Sequence, residues 1–455
     1  MKRRDALKTM GGLAGAAAAS RVLPGCGDNA LPPGIDHIVV VMMENRSYDH
    51  LFGARALQGL GGDGLTATMS NPGMDGLPVG AYEAMTGNLC VPDPPHGWTA
   101  AHNAFADGAN SGFVIAHQQS HSDPGARHPM EYLTRGTVPV SWALADQYTI
   151  CDRYFCSVMG PTWPNRMFWH SGSSGGIKTN DLPLGGFTWP SIHHRLDDAG
   201  VPWRYYYVTI PVLAIVDTLD KEGRLFLFEQ FIRDASKGDL APVTYLDPGF
   251  NLNDDHPPIH PHYGQQFLAS IYTALASSPA WARTMLVITY DENGGFFDHV
   301  PPPTTVDERT GEGFNQLGFR VPTIVAGPYA KRGVNSTVLE HCSVLAHLER
   351  QFGLVPLNAR TAASNDLSST IDTDRMAIGP DAPIALPAVE IDESQLGADC
   401  AMISEILDDH PMHQLADRFP DRFAKYDHRH LWKDQLYLIG DYLEQHNAGR
   451  IRRGR

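Results

Sequence analysis

Two pairs of oxygen-bearing residues carry the first chemical signal, Glu44-Asn45 and Asp291-Glu292. Each pair follows a run that reads as a buried strand, Asp36 to Met43 in one case and Met285 to Tyr290 in the other. Either pair alone reads as a solvated strand end. Brought together beyond the carboxyl ends of a sheet, where α/β folds bind ligands, the three carboxylates would repel unless a cation lay between them. Oxygen-only donors suit one hard divalent ion, calcium, magnesium or manganese, and zinc also accepts carboxylates. Successive strand residues face opposite ways. Adjacent ligands therefore require each strand to have ended and turned, as Gly294-Gly295 suggests.

A second signal lies in Gly160-Pro161-Thr162-Trp163-Pro164-Asn165-Arg166. Two prolines fix φ around the threonine and stiffen the loop. A threonine hydroxyl becomes a nucleophile when a base or a metal lowers its pKa. Asn165 and Arg166 are candidates to hold phosphate oxygens. For this segment alone, an ordinary rigid turn is the better explanation of the residues. Histidine is abundant, 21 in 455 residues. His96 before Gly97-Trp98, and His256 within Asp254-Asp255-His256-Pro257-Pro258, could protonate a leaving oxygen or hydrogen-bond a phosphate. His341 opens an expected helix, where capping competes with a substrate-binding role, and His299 reads as a brace for the glycine turn.

The elements that must position these residues alternate. Strands are expected at Asp36–Met43, Trp203–Val208, Val243–Leu246, Met285–Tyr290 and Thr323–Ala326. Helices are expected at Val140–Asp146, Gln265–Ser277, Ser343–Phe352 and Leu431–Gln445. Such alternation argues for an α/β layered fold. Residues 57–95 read as a long surface excursion, 363–400 as a loop-like region, and the basic tail Arg450–Arg455 as frayed.

The formal charge is -16, and setting aside residues 1–26 leaves 30 basic against 50 acidic residues. That surface repels a phosphate backbone, so no nucleic-acid partner is expected. Residues 1–26 read as an address. Arg3-Arg4 and Leu7-Lys8 precede an uncharged Gly/Ala-rich run, Thr9 to Ser20, too short to span a bilayer. The pattern resembles a twin-arginine signal, which implies the twin-arginine export machinery as a partner. Leu23-Pro24-Gly25-Cys26 resembles a lipobox that would anchor the chain to a membrane, whereas Ala17, Ala18 and Ala19 offer an ordinary cleavage site. Periplasmic, membrane-anchored and secreted destinations all remain open. Without Cys26, five cysteines remain (Cys90, Cys151, Cys156, Cys342, Cys400). An odd number leaves at least one free or paired between chains. Their spacing fits no zinc framework, so buried thiols with one or two disulfides are expected.

These motifs together resemble the bacterial phosphoesterase family of twin-arginine-exported phospholipases C and acid phosphatases. The segments that carry the resemblance are Glu44 to Gly53, Pro95-His96-Gly97-Trp98, Ser157 to Arg166, Asp255-His256-Pro257-Pro258 and Tyr290 to Val300, in family order across about residues 36–355. The resemblance implies an alkaline-phosphatase-like α/β fold, a central mainly parallel β-sheet flanked by helices on both faces with long surface loops. It places a catalytic domain at 34–380 and leaves 381–455 as a C-terminal helical extension packed on it. It further implies Glu44, Asn45, Asp291 and Glu292 as ligands of one divalent metal, Thr162 as nucleophile, and His96 and His256 in a phosphate pocket. Glu292 departs slightly from the aspartate common in the phosphatases. The family's large phospholipases carry C-terminal β-domains, which are not expected in a chain stopping at Arg455. The expected activity is phospholipase C cleavage of a phosphodiester such as phosphatidylcholine. The expected chemistry is attack by Thr162, protonation of the leaving alcohol by His256 or His96, and charge stabilisation by Asn165, Arg166 and the metal. Trp98 and Trp163 could face a quaternary ammonium group. A phosphomonoesterase and a non-catalytic metal-binding lipoprotein are the alternatives.

Overall fold

A computed structural model of the chain describes residues 34–87, 89–182, 187–396, 400 and 410–453. The expected signal segment and Cys26 therefore lie outside the described residues.

The run beginning at His37 forms the strand His37–Met43 (β1), and every residue from Ile38 to Met43 is fully buried. A strand buried on both sides must be covered by helices on both faces, which is how parallel sheets are built. The other strands of its sheet are Thr149–Cys151 (β2), Trp203–Tyr207 (β3), Leu225–Leu227 (β4), Val243–Asp247 (β5), Thr284–Tyr290 (β6), Ile324–Ala326 (β7) and Gly333–Asn335 (β8). They lie in the order β8-β2-β7-β6-β1-β5-β3-β4. All neighbours pair parallel except β7, which runs against both β6 and β2.

Two groups of helices pack among themselves. Pro139–Gln147, Phe228–Lys237 and Trp432–Gln445 gather around His262–Ala276, while Thr162–Ser171 and Ala359–Ala363 gather around His341–Phe352. The α/β sheet architecture is thus as expected. The tail differs from expectation. Gly449–Arg452 is a strand paired parallel with Val389–Asp392, and Arg450 and Arg452 both reach Glu390. An exposed basic tail frays only when its backbone finds no partner, and here it finds one within residues expected to be loop. Among the described residues, no helix is long and apolar enough to cross a membrane.

Candidate metal centre and nucleophile

The site begins with register. Met43 of β1 faces Tyr290 of β6, so Glu44 and Asp291 leave the sheet side by side. On the other flank, the backbone N–H of Glu44 donates to the carbonyl of Asp254, a few residues beyond the end of β5. Three adjacent strand ends therefore deliver Glu44-Asn45, Asp291-Glu292 and Asp254-Asp255-His256 to one place. Asn45 sits at φ 61 and Gly294 at φ 60, both left-handed, so each chain turns as soon as its strand stops. The turn at Asn45 is stitched to the neighbouring strand end, its N–H donating to Asp291 Oδ1 at 3.3 Å.

Glu44, Asn45, Asp291 and Glu292 are all buried, yet Asn45 Oδ1, Asp291 Oδ2 and Glu292 Oε1 have no hydrogen-bond partner. Orphaned buried oxygens cost stability unless something satisfies them. Burial raises the Asp291 carboxyl well above its usual range, with Glu44 pushing it further, and burial raises Glu292 to about 7. Glu44 behaves oppositely: against the burial penalty, His410 and Arg166 hold its carboxyl down at about 2. Three unpartnered oxygens on an acidic, buried surface fit a hard divalent cation.

Thr162 opens the helix Thr162–Ser171 and is buried. Pro161 stands before it as an extended N-cap, which suits a proline-flanked helix start. Asn165 locks this turn. Its Oδ1 accepts from Val158 N–H at 3.0 Å, and its Nδ2 donates to the carbonyls of Val158, Gly160 and Pro161. The preceding strand of chain is held separately: Ser157 Oγ donates to Glu340 Oε2 at 2.9 Å, and Arg360 bridges Glu340 and the Phe314 carbonyl.

Arg166, one helical turn after Thr162, points inward. Its Nε lies 3.0 Å from Glu44 Oε1, its Nη2 2.9 Å from the same oxygen, and its Nε 3.7 Å from Asp291 Oδ2. Asp247 at the end of β5 stands 3.6 Å from Nη1. Asn165 and Arg166, expected to hold phosphate oxygens, both position protein groups here, while Arg166 Nη1 keeps no hydrogen-bond partner. The donors of Asn165 are consumed by the turn, and the guanidinium ties the helix to the strand-end carboxylates. His341 is likewise committed: it is fully buried, its Nε2 lies 2.7 Å from the Asp291 carbonyl, and burial lowers its pKa to about 3. A neutral ring there donates through Nε2 to the backbone carbonyl of Asp291.

The other two predicted histidines do converge. His96 Nε2 is 3.5 Å from Glu292 Oε1 and 3.4 Å from Asn45 Nδ2, and its Nδ1 is 2.8 Å from the Pro94 carbonyl. Burial alone would depress its pKa, but Glu292 and Asp93 outweigh it and raise it to about 9. The His256 ring is centred 5.9 Å from that of His96, and its Nδ1 is fixed 2.6 Å from the Pro257 carbonyl. The structure adds a histidine that motif reading passed over. His410 Nε2 meets Glu44 Oε2 at 2.7 Å, and its ring lies 5.7 Å from that of His256. A signal for it existed, since Asp-Asp-His-Pro occurs twice, at 254–257 and at 408–411.

Two expectations about side chains are corrected. Lys178 Nζ already lies 4.4 Å from the Trp98 ring centre and His102 stacks on that ring at 4.6 Å, so the chain's own groups cover the surface expected to meet a quaternary ammonium. Trp163 is buried in the core. The cluster Asp49-Asp298-His299 looks metal-binding by composition, but Arg320 fills it, 2.8 Å from Asp298 and 3.0 Å from Asp49.

The model of the Phosphoesterase family matches residues 35–355. Phospholipase C A of Mycobacterium tuberculosis is 33% identical over 434 residues, 80% of this chain and 82% of that protein. Non-specific phospholipase C6 of Arabidopsis thaliana is 32% identical over 406 residues, 78% of this chain and 75% of that protein. Among solved structures, a protein in the alkaline phosphatase superfamily from Vibrio parahaemolyticus aligns with TM-score 0.36 and 8% identity, covering 83% of this chain and 88% of that one.

Proposed function

Because this chain belongs to the Phosphoesterase family and is a phosphoric ester hydrolase, we propose that it is an exported, metal-dependent phospholipase C that cleaves a phosphodiester such as phosphatidylcholine with Thr162 as nucleophile. The observation that carries the reading is the set of three unpartnered buried oxygens, on Asn45, Asp291 and Glu292, at the strand ends to which Arg166 ties the Thr162 helix. The names of the relatives at 28–33% identity favour a phospholipase C over other phosphoesterases.

Glu44, Asn45, Asp291 and Glu292 would hold a divalent ion, which when bound would supply Lewis-acid polarisation of a phosphate oxygen and lower the pKa of a nearby hydroxyl. Thr162 Oγ gives up its hydroxyl proton to solvent and attacks phosphorus, forming a P–O bond as the bond to the leaving alkoxide breaks; the hydroxyl is re-protonated from solvent when water later releases it. His256 Nδ1–H donates to the Pro257 carbonyl, so it is the doubly protonated ring that gives its Nε2 proton to that alkoxide and is left neutral. Water then cleaves the phosphothreonine, its proton returning to His256. His96, kept protonated beside Glu292, adds positive charge where negative charge spreads over the phosphoryl oxygens. The disulfide between Cys90 and Cys400 supports export, since such bonds persist in oxidising compartments. Under this reading residues 1–26 are the signal, with Cys26 the site of an anchor where the lipobox is used.

Paired assays on p-nitrophenyl phosphorylcholine and p-nitrophenyl phosphate, each with and without chelator, test the proposal. Cleavage of the diester, lost in chelator and restored by one divalent ion, supports it. Cleavage of the monoester alone transfers the chain to the acid phosphatases. Activity on neither substrate overturns the enzymatic reading in favour of a metal-binding lipoprotein.

A further inference from the structure

The C-terminal segment enters the site described above at His410. That residue precedes the helix Pro411–Arg418 as its N-cap, and its Nδ1 accepts the Met412 N–H at 3.0 Å. An imidazole whose Nδ1 accepts must carry its proton on Nε2 when neutral. The same contact that caps the helix therefore fixes the tautomer that donates to Glu44 Oε2 at 2.7 Å. The ring is buried and stacks on Phe250 at 4.7 Å with 20° between planes. Glu44 is thus gripped from two sides, Arg166 on Oε1 and His410 on Oε2. Asp254 also adjoins His410. Its two oxygens accept the N–H groups of Asn251 and His256, at 2.7 and 3.1 Å, which leaves Glu44 as the carboxylate that His410 serves.

The second observation is covalent. Cys400 lies ten residues before His410 and is bonded to Cys90, six residues before His96. This single bond crosses 310 residues of sequence. It joins the two stretches of chain whose histidines stand at opposite ends of the row His96–His256–His410. The other described cysteines, Cys151, Cys156 and Cys342, are buried free thiols away from this bond.

We infer that His410 is a positioning residue for the reaction, acting through Glu44, and that the Cys90–Cys400 disulfide is the latch that holds the C-terminal segment on the site. A partner that orients a metal-ligating carboxylate sets both its geometry and its basicity, and losing one costs about 10–100-fold in metal affinity or activity. The latch acts by effective concentration: a tethered imidazole re-forms its hydrogen bond far more often than an untethered one. This inference rests on the metal centre proposed above.

The test measures Mn²⁺ affinity by titration calorimetry beside kcat and KM on p-nitrophenyl phosphorylcholine, using the full mature chain. His410→Ala is expected to weaken Mn²⁺ binding about tenfold and to lower kcat about tenfold or more, with KM changed less than about twofold. His410→Gln, which can offer an N–H near the position of Nε2, is expected to recover most of both losses. Cys90→Ala, and dithiothreitol applied to folded wild-type protein, are expected to move both quantities in the same direction. Cys90→Ala is also expected to cost less in the His410→Ala background than in the wild type. Wild-type Mn²⁺ affinity and kcat in His410→Ala would overturn the role of His410. An equal cost of Cys90→Ala in both backgrounds would overturn the latch. A failure of the wild-type chain itself to bind Mn²⁺ would instead strike the metal centre, which keeps the two readings separable.

Discussion

Arg166 and Glu44 form a buried ion pair, with Arg166 Nε and Nη2 at 3.0 and 2.9 Å from one carboxylate oxygen. The two residues are 122 positions apart, one on a helix and one on a strand end. Through this pair the Thr162 helix and the candidate metal ligands share a single electrostatic joint. Asp291 stands 3.7 Å away, so the arginine is also the positive charge that lets adjoining carboxylates coexist.

Removing that charge strands the carboxylates. Arg166→Met is expected to destabilise the metal-free protein by about 3–5 kcal/mol, the usual cost of breaking one side of a buried pair. A bound cation supplies positive charge to the same oxygens. Divalent metal at about 100 times the wild-type Kd adds roughly 2.7 kcal/mol to the wild type by mass action, and more to a variant whose unpaired carboxylates bind the ion more tightly. Urea unfolding with and without chelator reads both numbers. Equal losses in the two conditions would separate the arginine from the metal centre.

Thr162 and Asn165 should fail in different ways. Thr162→Ala removes the reacting oxygen and is expected to cut kcat by about 10³-fold or more while folding and metal content persist. Thr162→Ser restores a hydroxyl and should retain measurable turnover. Asn165→Ala leaves the Val158 N–H and the carbonyls of Val158, Gly160 and Pro161 without this partner, at about 1–3 kcal/mol for each buried group left unpaired. Asn165→Asp places carboxylate oxygens against carbonyl oxygens and should be worse than alanine. If aspartate were the milder change, the amide would not be the lock of this turn.

Gly294 sets how closely the two strand-end turns approach at the candidate ligands. A Cβ there would lie 2.3 Å from the Asn45 carbonyl oxygen and 2.9 Å from Asn45 Cβ. Gly294→Ala therefore has to displace Asn45, and weaker divalent-ion binding is the expected result. Gly59, at φ 70 with nothing within 4 Å, provides the control. Gly59→Ala pays only the left-handed backbone cost of about 1–2 kcal/mol and should leave metal affinity untouched. Calorimetry of both variants distinguishes crowding at Asn45 from a general loss of stability.

Much of this site could be read before folding. The β-branched run to Met43 and its acidic successor mark a strand that must end where a ligand binds, and register then makes Glu44 and Asp291 neighbours. What the motif around Thr162 cannot convey is direction. Arg166 in a phosphate-rich context reads as an anion binder, and only the packed helix reveals that carboxylates of the protein are among its anions. Three-residue strands such as Thr149–Cys151 and Gly333–Asn335 are too short for periodicity to register. His410 lies 366 residues from the carboxylate it serves, and no local pattern encodes so distant a contact. The repeated Asp-Asp-His-Pro tetrapeptide was the single clue, and it names the residue without naming its partner.

Glu131 gives a pH signature that is independent of the metal ligands. It lies under the Arg46 turn, where His50 Nδ1 contacts its backbone carbonyl at 2.9 Å. Burial raises its carboxyl from 4.5 to about 7, with Arg46, Tyr82 and Arg127 offsetting only part of the effect. Below pH 4.5 the group is protonated in both the folded and unfolded chains and contributes nothing to the pH dependence. Between pH 4.5 and about 7 the folded protein keeps a proton that the unfolded chain has released. More protons are then bound in the native state, so stability falls as pH rises across that window. Above about pH 7 the full penalty is present, on the order of 3 kcal/mol at about 1.4 kcal/mol per unit. Glu131→Gln keeps the shape of the protonated acid and cannot ionise. The variant should match the wild type near pH 4.5 and exceed its stability near pH 8. Urea midpoints at the two pH values measure the difference, and a gap that did not widen with pH would show that Glu131 is not held protonated by its burial.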